Sequence, residues 1–84
     1  MPYIKQEDRA IYDTIFEELH AISAKGDLEY CIFRLMLKYM RCHDHNYTNL
    51  HDCTYAAMHC ADEFRRRYLD KREDEARDIN GDVE

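Results

Sequence analysis

The residues best suited to chemistry lie in one stretch, residues 41–53, with the sequence RCHDHNYTNLHDC. It holds two cysteines, three histidines and two aspartates, all of them side chains that can bind a metal. Two thiolates and two imidazoles make up the ligand set of a tetrahedral structural zinc site. The four candidate metal ligands are Cys42, His45, His51 and Cys53.

The spacing of these four residues argues against zinc. They form Cys-x2-His and His-x-Cys pairs, whereas a familiar zinc finger combines Cys-x2-Cys with His-x3-5-His. Cys53 also fits the apolar stripe of a following helix. We therefore favour a polar turn between two helices, with zinc as a minority cofactor. His59 and Cys60 are adjacent, so on a helix they point about 100° apart and are not expected to act as a catalytic pair.

Carboxylates offer a second kind of chemistry. All-α nucleoside triphosphate pyrophosphohydrolases hold Mg²⁺ between acidic residues of facing helices. Such a site needs Glu-x2-Glu and Glu-x2-Asp elements, but Glu17 and Glu18 are adjacent, and Glu75-x2-Asp78 lies in the charged C-terminal end. An enzyme of this type is the runner-up function, and no catalytic residue is assigned.

The run Arg65-Arg66-Arg67 is the one dense positive patch in the sequence. Arginines can bind a phosphate and aromatic rings can stack on a base, which would suit a small nucleotide. The candidate ligand-binding residues are Tyr47, Tyr55, Arg65, Arg66 and Tyr68. The simpler alternative, which we favour, is that Arg66 and Arg67 form surface ion pairs with the acidic residues four positions earlier.

The elements that carry these residues are predicted to be helices. Glycine occurs twice and proline once, and apolar residues recur at steps of three and four, so the fold class is all-α. We predict three helices, at about 5–24, 27–42 and 48–77, arranged as a hairpin or bundle with a long C-terminal helix. Gly26 is expected to end the first helix, Asp27 and Thr48 to cap the next two, and Gly81 to stop the last. The predicted core consists of Ile15, Leu19, Ile32, Leu35, Met36, Ala57, Cys60 and Phe64.

Length and charge limit the functional classes. The 84 residues predict a single domain over 1–84, with an acidic tail at about 78–84, and the net charge of −6 opposes nonspecific binding to nucleic acid. No secretory signal or membrane-spanning run is evident, so we expect a cytoplasmic protein with four reduced cysteines and no membrane association.

A chain this short gains from a partner, because a small domain hides only part of its unfolded surface. Tyr55, Met58 and Leu69 lie away from the apolar stripe of the third helix. We therefore predict a homo-oligomer, with these three residues at its interface.

The segments KGDLEYCIFRLM, YTNLHDCTYAAMHCADEFRRRY and EDEARDINGDV resemble a family of small uncharacterised helical proteins of phages and bacteria. Its marks here are the Gly26-Asp27-Leu28 start of the second helix and the Asn-Gly-Asp-Val ending at residues 80–83. The resemblance implies no activity. We expect a small cytosolic helical interaction protein, phage-encoded and acting on a host factor or a small nucleotide.

Overall fold

The computed structural model describes residues 2–84, a part of the chain that contains helices and no strand. A short 3-10 turn, Gln6–Asp8, precedes helix α1, and a π-helical turn, Arg65–Leu69, joins α3 to α4 without a break. The α-helices are α1 (Ala10–Glu18), α2 (Lys25–Arg41), α3 (Tyr47–Phe64) and α4 (Asp70–Asn80). Because α3, the π turn and α4 run on as one element, the prediction of an all-α fold with three helices and a long C-terminal helix is confirmed.

Helices α2 and α3 form a hairpin joined by the turn at residues 42–46. The side chain of Asn46 accepts a hydrogen bond from the backbone N–H of Asn49 at 2.8 Å, and the Asn49 side chain donates to the carbonyl of Asp44 at 3.0 Å. The first bond satisfies a backbone N–H that a helix start leaves unpaired, and the second ties the first turn of α3 to the connection. The stretch is the predicted helix connection, but Asn46 caps α3 instead of Thr48.

The core is the seam between these two helices. Met40 and Cys53 are 5% and 6% exposed and are the buried hydrophobic residues of the described chain. The Cys53 thiol donates to the carbonyl of Met36 at 3.6 Å, which ties α3 to α2. Met36 and Ala57 are half-buried beside them.

Most of the predicted core is therefore exposed in the single chain. Met36 and Ala57 are partly covered, whereas the other six predicted core residues are exposed: Ile15, Leu19, Ile32, Leu35, Cys60 and Phe64. Two helices in contact can cover only one strip of each other, so a third helix would be needed to cover the rest. Within the described residues, no Cα of α1 comes within 8 Å of a Cα of α2, α3 or α4.

The first helix is shorter than predicted, and the second begins earlier. The backbone turns extended at Leu19 (φ −61°, ψ 135°), and the connection to α2 remains irregular until Ala24. Gly26 lies inside the first turn of α2, so it does not end α1. Asp27 is the third residue of α2, not its cap, and its carboxylate accepts from the backbone N–H of Ala24 at 3.4 Å. A carboxylate there favours helix initiation, which explains why Lys25-Gly26-Asp27 starts a helix.

Gly81 ends α4, as predicted. The last helical residue is Asn80, three residues beyond the predicted helix end at residue 77. The φ of 90° at Gly81 suits glycine, and its N–H donates to the carbonyl of Arg77 at 2.8 Å.

Ion pairs on the long helix join residues three apart, not four as predicted. The predicted pairs of Arg66 with Asp62 and of Arg67 with Glu63 are wrong. The observed pairs are Asp62/Arg65, Glu63/Arg66, Arg72/Glu75 and Asp74/Arg77. Both spacings place side chains on neighbouring turns. Across the π turn, Arg65 also reaches Asp70, at 3.7 Å and five positions away.

None of the helices within residues 2–84 is long and apolar enough to cross a membrane.

We expect Met40→Ala to lower the free energy of unfolding by about 2–4 kcal/mol, because it empties the centre of the seam. Chemical denaturation followed by circular dichroism measures this loss. Ile79→Ala, at an 82% exposed position on α4, is the matched control and should change stability by less than about 0.5 kcal/mol. Equal losses in the two variants would mean that Met40 is not central to the fold.

Candidate functional site

Four rings follow one another along α3 at four-residue steps: Tyr47, His51, Tyr55 and His59. We call them the ring ladder. Neighbouring ring centroids are 5.6, 4.1 and 6.1 Å apart, and the His51 and Tyr55 rings are stacked with an interplanar angle of 24°. Residues four apart lie one above the other on a helix, so the sequence spacing itself produces the ladder.

The ring ladder is open to solvent. Tyr47 is 81% exposed and Tyr55 is 42% exposed. Rings with an apolar body and a polar end suit a binding surface better than a core. Tyr47 and Tyr55 were expected from the sequence to bind a ligand. That His51 and His59 lie between and beyond them in one row of rings was not predicted. The signal for all four was their regular spacing.

A charged depression lies at the C-terminal end of the ladder. His59 lines it together with charged residues from the end of α3, the π turn and the start of α4: Asp62, Glu63, Arg65, Arg66 and Asp70. It is an open depression of about 450 Å³. Its arginines are already paired, since Arg65 lies 3.6 Å from Asp62 and 3.7 Å from Asp70.

Glu63 is the best-covered charge in the depression, with a side chain only 11% exposed. Arg66 donates to its carboxylate through Nε at 3.0 Å and also through Nη2. The hydrogen bond from Arg66 holds the pKa of Glu63 below its ordinary value, with a smaller contribution from Tyr3, while partial desolvation acts in the opposite direction. The same pairing raises the pKa of the Arg66 guanidinium.

The N-terminal segment is attached at this place. The Tyr3 hydroxyl accepts a hydrogen bond from the guanidinium of Arg67 at 3.2 Å. The segment before α1 therefore lies against the π turn, in the middle part of the continuous helix formed by α3, the π turn and α4.

The predicted ligand-binding residues do not line one pocket. Arg65 and Arg66 share the charged depression, while Tyr47 and Tyr55 lie on the ring ladder. Tyr68 packs against Phe64, with ring centroids 4.8 Å apart. The predicted interface residues, Tyr55, Met58 and Leu69, are all exposed in the single chain.

The zinc alternative finds no support in the arrangement of its ligands. Cys42 donates to the carbonyl of Lys38 at 3.8 Å, Cys53 is buried in the seam, and His51 stacks on Tyr55. In the part of the chain that the structure describes, no three His, Cys, Asp or Glu side chains cluster so as to hold a metal ion. The carboxylates of the pyrophosphohydrolase alternative are likewise not brought together.

Comparison with known families gives one match. The family described as "Domain of unknown function (DUF6899)" matches residues 1–83. No curated protein and no solved structure matches the chain.

We expect the pairing of Glu63 to make folding stability depend on pH. Because the pKa of this carboxyl is lower in the folded chain than its ordinary value of 4.5, its stabilising effect is present above about pH 4.5 and is lost as the pH falls through the folded-state pKa. The stability difference between wild type and Glu63→Gln, measured by chemical denaturation from pH 7 to pH 3, should shrink with acid. Glu73→Gln, at a carboxylate without an ion pair among the described residues, is the control. A stability difference that stays constant with pH would contradict the lowered pKa of Glu63.

We also expect the thiols to react at different rates, because reactivity requires access by the reagent. Cys42 is exposed and should react with a disulfide reagent at once, whereas Cys53 is buried and should react only as the hairpin opens. Cys60 is exposed as well, so Cys42→Ser together with Cys60→Ser should remove the fast phase, whereas Cys53→Ser should remove the slowest one. A fast reaction at Cys53 would show that the seam is open in solution.

Proposed function

We propose that this chain, which belongs to the DUF6899 family, works as a small helical interaction protein in the form of a homo-oligomer. One observation carries this proposal: a single chain has far more surface than a compact protein of its mass.

The excess surface can be estimated. The chain exposes 7930 Å² and has a mass of 10.2 kDa, whereas a compact monomer of that mass exposes about 5,300 Å². Its radius of gyration is 16.7 Å, compared with about 12 Å for a compact chain of this length. The difference in area, about 2,600 Å² per chain, is of the size that permanent homo-oligomers bury at their interfaces.

The nature of the exposed surface supports the same proposal. Large apolar side chains are exposed on all four helices, and soluble monomers rarely expose contiguous apolar patches of more than a few hundred Å². We propose that Tyr55, Met58 and Leu69 contribute to the interface. They lie on the long helix, where a two-fold axis would set the same patch of each chain against the other.

We further propose that the assembled protein binds a protein partner through the first two rings of the ring ladder, Tyr47 and His51, which lie outside the proposed oligomer interface. Tyrosine is enriched at protein interfaces, and Tyr47 is 81% exposed. A small nucleotide has less support, because both Arg65 and Arg66 already face carboxylates.

The setting of this function is also part of the proposal. A phage or bacterial origin, a host factor as the partner and a cytoplasmic location all fit a small acidic protein that carries Asn-Gly-Asp-Val at residues 80–83. The net charge of −6 favours a protein partner over nonspecific binding to nucleic acid.

We expect wild type to sediment as an oligomer at about 50 µM, a concentration at which even micromolar affinity gives mostly assembled protein. Met58→Asp and Tyr55→Asp should each shift it towards monomer, because a buried charge without a partner is costly. Val83→Asp, which makes the same change at a fully exposed tail position, is the control and should sediment like wild type. A monomeric wild type would refute the oligomer. An oligomer unaffected by both substitutions would place the interface elsewhere.

A further inference from the structure

Helix α1 has an apolar face that nothing in its own chain covers. Ile11 and Ile15 lie one turn apart, as do Tyr12 and Phe16, and together they form a stripe. These four side chains are between 53% and 72% exposed. We call them the α1 stripe. An isolated nine-residue helix is marginal in water, so α1 needs a surface to pack on.

Helix α2 has a matching uncovered face. Leu28, Ile32, Leu35 and Tyr39 follow one another at steps of four, three and four, and are between 39% and 54% exposed. We call them the α2 stripe. It lies beside Met36 and Met40, which pack on α3, so a helix placed there would extend the existing core.

The charges of the two helices are complementary. The charged residues of α1 are all acidic: Asp13, Glu17 and Glu18. Those of α2 are mainly basic: Lys25, Arg34, Lys38 and Arg41, against Asp27 and Glu29. Within residues 2–84, the ion pairs all lie between positions 62 and 77, so the charges of α1 and α2 have no ion-pair partner in the chain.

The connection between the helices directs α1 away from its own α2. A tight turn would lay the two helices side by side. Here the backbone is extended at Leu19 and again at Ala24, where ψ is 149°. Before α1, Tyr3 is held at Arg67. The helix therefore projects from the end of the hairpin and leaves the α2 stripe of its own chain uncovered.

We propose that α1 docks on the α2 stripe of a second copy of this chain, so that two copies exchange their N-terminal helices. This inference rests on the proposed homo-oligomer and names the contact that builds it. Glu18 follows Ile15 by three positions and Lys38 follows Leu35 by three, so a charge lies beside each stripe where the two helices would meet. Exchange covers both stripes of both chains. The area that it buries is part of the roughly 2,600 Å² of surface that each chain exposes beyond a compact monomer.

The test uses two full-length variants with reversed charges. The arm variant carries Asp13→Lys and Glu18→Lys, and the groove variant carries Arg34→Glu and Lys38→Glu. In a dimer of either variant, the docked α1 and the α2 that receives it carry charges of the same sign. Each variant should therefore self-associate at least about tenfold more weakly than wild type. When they are mixed, both exchanged contacts become complementary again.

Native mass spectrometry, with one variant labelled with ¹⁵N, counts the mixed and the uniform dimers. Mixed dimers should clearly exceed the statistical share of about one half. The control replaces the arm variant by Glu73→Lys with Asp78→Lys, which makes the same charge change on α4, and should give no such preference. A chain carrying all four arm and groove substitutions should dimerise like wild type, which shows that neither reversal prevents folding.

The outcomes separate this inference from the proposed function. Preferential mixed dimers support exchange between copies. An oligomeric wild type whose arm and groove variants show no preference for each other overturns the exchange and leaves the oligomer standing. A four-substitution chain that stays dissociated also overturns it, because the charges would then not be paired. A monomeric wild type overturns both proposals.

Discussion

The rest of the structure depends on the seam between α2 and α3, where Met40 and Cys53 are buried. These two side chains bring α2 against α3, and the hydrogen bond from the Cys53 thiol to the Met36 carbonyl fixes the level at which the helices meet. The Asn46 cap sets where α3 begins, so the first turns of the hairpin are fixed by local bonds. One such seam is small compared with the conformational entropy that folding removes. The hairpin is therefore a structural unit that needs further surface to be covered.

The middle of the long helix, around the π turn, is organised by charge. Glu63 accepts hydrogen bonds from Arg66 and lies near Tyr3. The Tyr3 hydroxyl also accepts a hydrogen bond from Arg67. These contacts hold the N-terminal segment to the helix next to the π turn. The π turn adds a residue to one turn of the helix, which shifts the faces of α4 relative to those of α3. The apolar stripe that passes through Cys53 and Ala57 does not continue into α4, because the residues of α4 are mostly charged.

The sequence predicted the type of the secondary-structure elements better than the way in which they pack on one another. The all-α class followed from the scarcity of glycine and proline and from the apolar periodicity. The end of the long helix followed from Gly81. Periodicity shows which face of a helix is apolar but not what covers it, and so Leu35 and Phe64 were assigned to a core that a single chain does not form. Ion-pair spacing was missed because positions three and four apart are both neighbours. The ring ladder was missed because histidine was considered as a metal ligand, although the four-residue steps from Tyr47 to His59 were visible in the sequence.

The chemistry of the seam has a consequence for the lifetime of the protein. Both buried hydrophobic side chains of the described residues carry sulfur, and so does the half-buried Met36 beside them. Sulfur is polarisable and fills irregular gaps well, but it is also the atom that peroxide attacks first. Conversion of Met40 to its sulfoxide would put a polar oxygen at the centre of the hairpin, where the buried side chains are otherwise hydrophobic. The seam that holds the fold together is thus the place where oxidation would do the most damage, and its protection depends on how rarely the two helices separate.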